Sequence, residues 1–332
     1  MSLPSAQRAV VVEQVGGPEV LQYRTDYKIP TPEQGQVLVK NTFSGINFID
    51  TYFRTGLYPS AKPEVLGREA SGTVVALGLG ADKYGLEVGD RVVWLGSSGY
   101  AEYTAAPAAK TVKIPDGVSD QDAVASFMSG LTVLALAREA YEVKPGDWVL
   151  LHAAAGGAGL LMTQVLKSMG ANVIGTAGGQ DKVAMVKSLG ADHVIDYRSE
   201  SGKDWVTRVN DITNGQGVNA VYDSVGKDTW EGSLEVVKRK GTVVWFGNAS
   251  GPVPPLPLNR LSPKCVKVVR PTLFGYITTR DEFDQYCNTL FGMLAQGQLK
   301  VKIHKIYRLQ DASQAHKDLE SRNTTGKALI QI

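Results

Sequence analysis

The sequence predicts an α/β protein made of a doubly wound parallel-sheet domain and an irregular β-barrel domain. Three observations support this fold class. An apolar strand, a glycine-rich turn and a helix follow one another at 148–167, and strand-like and helix-like segments alternate from there to residue 246. Short β-forming runs, separated by glycine and proline, occupy about the first 100 residues.

The first elements belong to the expected barrel. β-forming residues cluster in four runs, at 8–12, 36–40, 70–77 and 90–95. Prolines and glycines lie between these runs, as expected of turns that connect short strands. Residues 120–141 then have the apolar periodicity of a helix, and we expect the domain boundary near 125–130.

The parallel sheet follows this helix. Beyond the strand at its start we predict strands at 172–177, 192–196, 218–223 and 242–246. Intervening helices are predicted at 181–189, 204–213 and 229–237. Prolines then interrupt regular structure before an apolar run at 266–269 and a long helix at 282–296, which we assign to the first domain. The predicted domains are 1–128, completed by 276–332, and 129–275.

The turn after the first strand of the parallel sheet has the chemistry of an anion site. Glycines at 156, 157 and 159 leave backbone N–H groups open to a pyrophosphate, and the helix N-terminus behind them favours negative charge. Ala153 replaces the first glycine of the G-x-G-x-x-G pattern, so the motif by itself also fits a plain strand-to-helix turn. Its place in a doubly wound sheet favours a dinucleotide site.

The end of the second strand bears on which dinucleotide binds. NAD sites usually carry an acidic residue about 20 positions after the glycines, but residues 176–179 contain no carboxylate. Lys182 lies just beyond and is able to pair with a 2′-phosphate. Asp181 is its neighbour, and a solvated lysine at a helix start is the alternative. We therefore favour NADP.

Composition argues against several classes of protein. The net charge is +2, from 35 basic and 33 acidic residues without long runs, so nucleic acid or an anionic membrane is not predicted as a partner. The two cysteines favour a reducing compartment. We find no targeting segment and no apolar stretch of about 18 residues. We expect a cytoplasmic protein.

A set of short segments is specific when taken together. The segments lie at 47–59, 66–72, 153–159, 222–226, 246–251 and 270–271 with 275–276. This set resembles the medium-chain dehydrogenase/reductase superfamily, and within it the quinone oxidoreductases of the zeta-crystallin type. The resemblance covers nearly the whole chain. It implies a Rossmann-type domain for the parallel sheet and a GroES-like domain for the barrel.

The departures from zinc-dependent members of the superfamily bear on the chemistry. Those relatives place a cysteine near 45–47 and a histidine after the glycine at 67, as ligands of a catalytic zinc. Arg68 stands in the place of that histidine, and the four-cysteine lobe for a structural zinc is missing. No metal site is predicted. The histidines lack metal spacing and are expected to be ordinary core or surface residues, at 152, 193, 304 and 316.

The resemblance also implies a site for NADPH in the cleft between the two domains. The residues that it assigns to the cofactor are Asn47, Thr132, Gly156, Gly157, Ala158, Gly178, Lys182, Tyr197, Ser224, Phe246, Gly247, Asn248 and Arg322. Lys182, Tyr197 and Arg322 would clamp the 2′-phosphate, and Gly178 would leave room for it. As an alternative, Arg322 is a solvated residue at a helix end.

The catalytic candidates are Asn47 and Tyr52. Asn47 offers both a donor and an acceptor, and the phenolic O–H of Tyr52 is able to bond a quinone oxygen as negative charge develops. The alternatives are an Asx-type turn for Asn47 and a packed aromatic residue for Tyr52. Asp50 is expected to be a surface or capping residue.

The leading function is therefore an NADPH-dependent, zinc-independent quinone reductase, because a substrate that accepts hydride readily needs no Lewis acid. An enone or alkenal double-bond reductase is the first alternative. A cofactor-binding, crystallin-like or AU-rich RNA-binding protein is the second. The run at 266–275 resembles the edge strand through which family members dimerise, and burial under proline-rich loops competes with a homodimer.

Overall fold

The computed structural model describes residues 3–332. The chain divides into two compact units. The first unit comprises residues up to Met128, Thr279–Gly297 and Val301–Ile332, and the second comprises Ser129–Thr278 and Gln298–Lys300.

The strands fall into three sheets. In chain order they are β1 (Gln7–Val12), β2 (Leu21–Tyr27), β3 (Gln36–Gly45), β4 (Glu64–Val65), β5 (Glu69–Leu77), β6 (Arg91–Leu95), β7 (Tyr103–Pro107), β8 (Thr111–Lys113), β9 (Trp148–Leu151), β10 (Asn172–Ala177), β11 (His193–Asp196), β12 (Val218–Asp223), β13 (Val237–Trp245), β14 (Lys267–Val269), β15 (Ile303–Arg308) and β16 (Lys327–Gln331).

The helices lie mostly between strands of the parallel sheet. In chain order they are α1 (Phe48–Thr55), α2 (Asp120–Ala135), α3 (Gly157–Ser168), α4 (Gln180–Ser188), α5 (Trp205–Ile212), α6 (Trp230–Val236), α7 (Leu273–Tyr276), α8 (Arg280–Ala295) and α9 (Ala312–Glu320). A π-helical turn, Leu136–Ala140, continues α2.

The helix over Asp120–Ala140 is long and apolar enough to cross a membrane, with a mean hydropathy of 1.3. However, 78% of its apolar window is buried inside the protein. Burial of that degree accounts for its apolar composition, because a helix that is hydrophobic on all sides is expected in the core of a large globular protein.

The first unit contains a seven-stranded sheet and a three-stranded sheet, as the predicted irregular barrel requires. The larger sheet has the order β15-β16-β3-β5-β6-β8, with β7 also paired to β3, and the smaller has the order β2-β1-β4. Fully buried apolar residues fill the larger sheet, among them Val37, Val74, Val92 and Trp94. The prediction of a barrel-like β domain is confirmed.

The register of three neighbouring strands in this sheet determines which residues meet at their ends. β3 lies between β16 and β5, and it is antiparallel to both. Leu329 of β16 stands opposite Gly45, while Ala70 of β5 stands opposite Ser44. The start of β16, the end of β3 and the start of β5 therefore lie side by side.

The second unit is a doubly wound parallel sheet, as predicted. Its six strands have the order β11-β10-β9-β12-β13-β14 and all pair in parallel. Its core is formed by Leu150, Ile174, Val221 and Val243 from the four central strands. The order reverses direction at β9, so the turn after β9 lies at the topological switch point, where such sheets bind ligands.

One strand departs from its predicted extent. β13 begins at Val237 rather than at 242, because Val237 pairs with Val218 ahead of an irregularity in the register. The alternation of strand and helix patterns predicts that an element exists more reliably than it predicts the residues at which the element begins and ends.

Candidate active site

The glycine-rich turn joins β9 to α3 and brings the helix very close to the strand. Gly156 caps the helix, which begins at Gly157 and continues through Ala158. A Cβ on Gly159 would lie 2.7 Å from the Cα of Ala154, closer than real Cβ atoms approach. A Cβ on Gly156 would meet only the carbonyl oxygen of Ala153, at 3.3 Å. Gly159 therefore permits tight helix packing, while the first N–H groups of α3 lack intrahelical partners.

The carboxyl end of β10 meets that of β11 at a second close contact. A Cβ on Gly178 would lie 2.6 Å from the hydroxyl oxygen of Tyr197 and 2.9 Å from Nε of Arg198. Burial lowers the pKa of Lys182, and the positive charge of Arg198 lowers it further. The structure thus brings Gly178, Lys182 and Tyr197 together, and it adds Arg198.

Asp196, the last residue of β11, directly precedes Tyr197. Its Oδ1 accepts the N–H of Gly179 at 2.8 Å and that of Arg198 at 3.0 Å, and its Oδ2 accepts from the side chain of Gln180 at 3.1 Å. These bonds engage both carboxylate oxygens in holding the two loops together. The side chains of Lys182 and Arg198 provide the positive charge.

The ends of β12 and β13 hold the next group of predicted cofactor residues. Gly247 packs on Ser224, because a Cβ there would lie 2.9 Å from the Cα of Ser224. Asn248 is buried, and its amide oxygen accepts from Nη2 of Arg270 at 2.9 Å. Phe246 follows β13 directly, and its N–H donates to the backbone carbonyl oxygen of Asp223 at 2.9 Å. Ser224, Phe246, Gly247 and Asn248 therefore form one edge of the second unit.

Two of the predicted cofactor residues, Thr132 and Arg322, do not lie in the loops that follow the strands of the parallel sheet. Thr132 is half-buried in α2 and belongs to the second unit. Arg322 is exposed after α9, in the first unit, with a positive φ of 61°.

In the first unit, Asn47 is engaged by a buried ion pair. Lys327 donates from Nζ to Oδ1 of Asn47 and to Oε1 of Glu69, both at 2.6 Å. Nδ2 of Asn47 donates to the same Oε1 at 2.8 Å. Glu69 is 0% exposed and the Lys327 side chain is 4% exposed. Both ends of the Asn47 amide are therefore bonded to charged groups.

The carboxylate of Asp50 accepts a hydrogen bond from the backbone of Asn47. Its Oδ2 accepts the N–H of Asn47 at 2.8 Å and the O–H of Tyr100 at 3.0 Å, while its Oδ1 has no hydrogen-bond partner. Asp50 is fully buried, and this burial raises the pKa of its carboxyl group to about 6. The expectation of a capping residue agrees with these contacts, but the expectation of a surface position is wrong, because α1 packs this side chain into the core.

A buried polar chain continues from Tyr100 to the C-terminal helix. The Tyr100 hydroxyl lies 3.1 Å from Nε2 of His316. Arg54 is 1% exposed and donates two hydrogen bonds to Glu320, at 2.7 and 3.0 Å. Arg54 and His316 also contact each other. These bonds connect α1 to α9.

Tyr52 belongs to an aromatic cluster. Its ring lies 5.9 Å from that of Phe48 and 5.2 Å from that of Tyr58, and 7% of the residue is exposed. Arg68, at the position where zinc-dependent relatives place a histidine, stacks on Phe53 at 3.7 Å and pairs with Glu64 at 2.6 Å. Arg68 is therefore occupied by packing and pairing contacts.

Among residues 3–332, no cluster of three or more histidine, cysteine or acidic side chains is placed to hold a metal ion. His152 and His316 are buried core residues, while His193 and His304 are exposed. Burial lowers the pKa of His152, which lies 3.1 Å from Thr176 Oγ1 and 3.3 Å from Ser233 Oγ.

Sequence reasoning missed Arg198, Glu69 and Lys327. Arg198 follows Tyr197 directly, so its position at the end of β11 was a usable signal. Glu69 and Lys327 are 258 residues apart, and only the order of β16, β3 and β5 brings them together.

A doubly wound parallel sheet with a glycine-rich turn at its switch point, together with a barrel-like β unit, defines a nucleotide-dependent oxidoreductase. The family model described as the alcohol dehydrogenase GroES-like domain matches residues 33–116, and the model described as zinc-binding dehydrogenase matches residues 157–291. The chain belongs to the quinone oxidoreductase family of the medium-chain dehydrogenase/reductase superfamily. The predicted family, fold class and oxidoreductase activity are confirmed.

Individual relatives match over nearly their full length. A quinone oxidoreductase of Salmonella typhimurium is 47% identical over 95% of this chain and 96% of its own. The structure of an Escherichia coli quinone oxidoreductase complexed with NADPH is 44% identical, with a TM-score of 0.94, and covers 98% of this chain and 100% of its own. A 2-haloacrylate reductase of Burkholderia is 35% identical over 97% of this chain and 98% of its own.

Proposed function

We propose that this protein reduces quinones with NADPH and without zinc. The observation that carries the proposal is the match, over 98% of the chain, to a quinone oxidoreductase whose structure was solved with NADPH. NADPH supplies the hydride, and the residues of this chain bind and orient the reactants and exclude water.

The second unit fits the cofactor. The N-terminus of α3 offers unpaired backbone N–H groups to a pyrophosphate at the switch point. Lys182 and Arg198, which repel each other, would both gain from a 2′-phosphate beside Gly178 and Tyr197. Arg322 remains a proposed third cation of this clamp. Thr132, Ser224, Phe246, Gly247 and Asn248 are proposed to contact the nicotinamide half.

Zinc independence is supported by the side chains that occupy the metal-ligand position. Arg68 is a cation, stacked on Phe53 and paired with Glu64, and a guanidinium does not act as a metal ligand. A quinone accepts hydride without a Lewis acid, which is consistent with this arrangement.

The quinone is proposed to bind near Asn47 and Tyr52. The hydride adds to the quinone, and proton uptake gives the hydroquinone if both electrons leave together. The Asn47 amide is held from within the protein, since the buried ammonium of Lys327 lies 2.6 Å from its Oδ1.

The test is to follow loss of NADPH absorbance with an ortho-quinone, in parallel with NADH and with a chelator present. We expect rapid NADPH oxidation that is insensitive to the chelator and much slower with NADH. Loss of activity in the chelator, with recovery on adding zinc, would contradict zinc independence. Absence of quinone turnover despite NADPH binding would contradict the quinone substrate.

A second candidate is reduction of an activated carbon–carbon double bond, favoured by the 35% identity to a 2-haloacrylate reductase. The same assay with a 2-haloacrylate and with an enone separates the two functions. AU-rich RNA binding stays the alternative from another class, and NADPH competition against such an RNA tests it.

We also propose a cytosolic homodimer. β14 is an edge strand of the parallel sheet, with Val268 and Val269 half-buried. Pairing of two such edges would extend the sheet and cover them. The substitution Val268→Lys is expected to yield monomers in sedimentation, whereas Leu258→Lys, at an exposed site outside the strand, should not. The free cysteines, Cys265 and Cys287, fit a reducing cytosol.

A further inference from the structure

The ion pair between Glu69 and Lys327 is buried, and burial of charged groups is unfavourable in free energy. Both side chains are almost completely removed from water. A buried ion pair contributes little net stability compared with apolar residues of the same shape, since both charges lose their hydration. A role in conformational specificity is therefore a better account of this pair than a role in stability.

The ion pair between Glu69 and Lys327 spans β3, which has a glycine, Gly45, at the point of contact. β3 separates β16 from β5, so the side chains of Lys327 and Glu69 must meet above β3. They do so at Gly45, where a Cβ would lie 2.7 Å from the carboxyl carbon of Glu69. A glycine at 45 is thus required for this arrangement.

The hydrogen bonds fix the orientation of the Asn47 amide. An ammonium only donates and a carboxylate only accepts. Lys327 therefore requires the oxygen of Asn47 on its side, and Glu69 requires the nitrogen on the other. The second oxygen of Glu69 accepts the N–H of Met128 at 2.7 Å, which keeps the carboxylate from rotating.

From these contacts we infer that Lys327 and Glu69 are positioning residues for Asn47, which they hold in the single amide orientation that the reaction uses. The inference rests on the proposed quinone reductase function, in which Asn47 contacts the reactants. One donor and one acceptor on opposite sides exclude the flipped amide. Asn47 therefore keeps its oxygen toward Lys327 and its nitrogen toward Glu69 and the carbonyl oxygen of Gly45, which lies 3.4 Å from Nδ2.

The test combines kinetics with variants of matched shape. Lys327→Met removes the charge and should lower kcat about 10- to 100-fold, the effect expected when a reacting group is misplaced by about 1 Å. The dissociation constant for NADPH should change far less than kcat, because the residues assigned to the pyrophosphate and the 2′-phosphate are left in place. Lys305→Met, on the neighbouring strand β15 and exposed, is the control and should leave kcat unchanged.

A second background separates positioning from general support of the fold. In an Asn47→Ala protein, Lys327→Met should cause little further loss of kcat, because the group that it positions is gone. An equal further loss in that background would overturn the inference. So would a wild-type kcat for Lys327→Met.

A double variant keeps the test decisive if Lys327→Met does not fold. Glu69→Gln combined with Lys327→Met removes both charges of the pair, so neither is left buried without its partner. The oxygen of the new glutamine side chain would be held by the Met128 N–H, so its NH2 group would face Asn47 and favour the flipped amide. We expect this variant to fold and to be as slow as Lys327→Met. Wild-type kcat in it would overturn the inference.

The side-chain amide signals of Asn47 provide a readout that does not need turnover. These signals can be assigned in ¹⁵N spectra because they disappear in Asn47→Ala. We expect them to shift in Lys327→Met and to keep their positions in Lys305→Met. Unchanged signals in Lys327→Met would overturn the inference. If the wild-type protein does not reduce quinones and the Asn47 signals nevertheless shift in Lys327→Met, the proposed function is contradicted but the positioning of Asn47 is not.

Discussion

Nη1 of Arg54 lies 3.0 Å from Nδ1 of His316, in the interior of the first unit. A guanidinium only donates, so Nδ1 accepts and the neutral imidazole carries its proton on Nε2. Nε2 then donates to Tyr100, and the Tyr100 hydroxyl donates to Asp50. One buried cation thus sets the direction of every hydrogen bond from α9 to the start of α1.

We predict that His316 does not titrate between pH 5 and 8. Burial lowers the pKa of His316 to about 3, and the charge of Arg54 contributes to this lowering. ¹⁵N NMR of the imidazole should show the neutral ring protonated on Nε2 throughout. The Arg54→Met variant should show a higher His316 pKa. Titration of the wild-type ring above pH 6 would contradict this prediction.

The second prediction concerns the pH dependence of stability through Asp50. Its native pKa is about 6, compared with 3.8 for a free carboxyl group, so the native state binds its proton more tightly than the unfolded state. The corresponding stabilisation is present below pH 4 and is lost as the pH rises through 6. The difference is about 3 kcal/mol, at about 1.4 kcal/mol for each pKa unit.

The Asp50→Asn variant serves as the reference for this effect, because it has no charge at that position. Between pH 4 and 7, the free energy of urea unfolding of the wild type should fall relative to that of the variant by up to about 3 kcal/mol. A constant difference over this range would contradict the assigned pKa.

The third prediction concerns the 2′-phosphate. Lys182→Met should raise KM for NADPH about 10- to 100-fold, because it removes a charge-assisted bond of about 1.5–3 kcal/mol. KM for NADH should be unchanged. Lys187→Met, an exposed lysine on the same helix α4, should alter neither value. A parallel rise for both cofactors would place the phosphate elsewhere.

The fourth prediction compares two glycines of the turn. Gly159→Ala should lower the free energy of unfolding by about 1–3 kcal/mol, because the added methyl overlaps the backbone at Ala154. Gly156→Ala meets a single contact at 3.3 Å and has an ordinary φ of −76°, so its cost should be clearly smaller. Thermal unfolding of the two variants checks the difference, and equal losses would contradict it.

Much of the fold could be predicted because its signals are local. The strand, turn and helix at 148–168 combine apolar periodicity with glycines, and the later βα units repeat that pattern. Gly178 and Tyr197 could be associated because each follows the end of a parallel strand. These inferences depend on residues near one another in sequence or at equivalent points of a repeating unit.

The buried polar contacts of the first unit could not be predicted in this way. Arg54 and Glu320 are 266 residues apart, and nothing in the pattern around Arg54 distinguishes a buried arginine from an exposed one. The sequence predicts a surface or capping role for Asp50; it accepts the N–H of Asn47 in the cap of α1, but its complete burial depends on the packing of that helix. Such contacts follow from strand order and helix packing rather than from local pattern.

The position of Lys327 has a consequence for protein synthesis. β16 is inserted between β15 and β3, so the first unit lacks an interior strand until the chain has been made past residue 331. Nearly all of the second unit precedes residue 279, so it is able to fold earlier on the ribosome. A nascent chain is therefore able to form its nucleotide-binding unit before Lys327 joins Glu69 and Asn47.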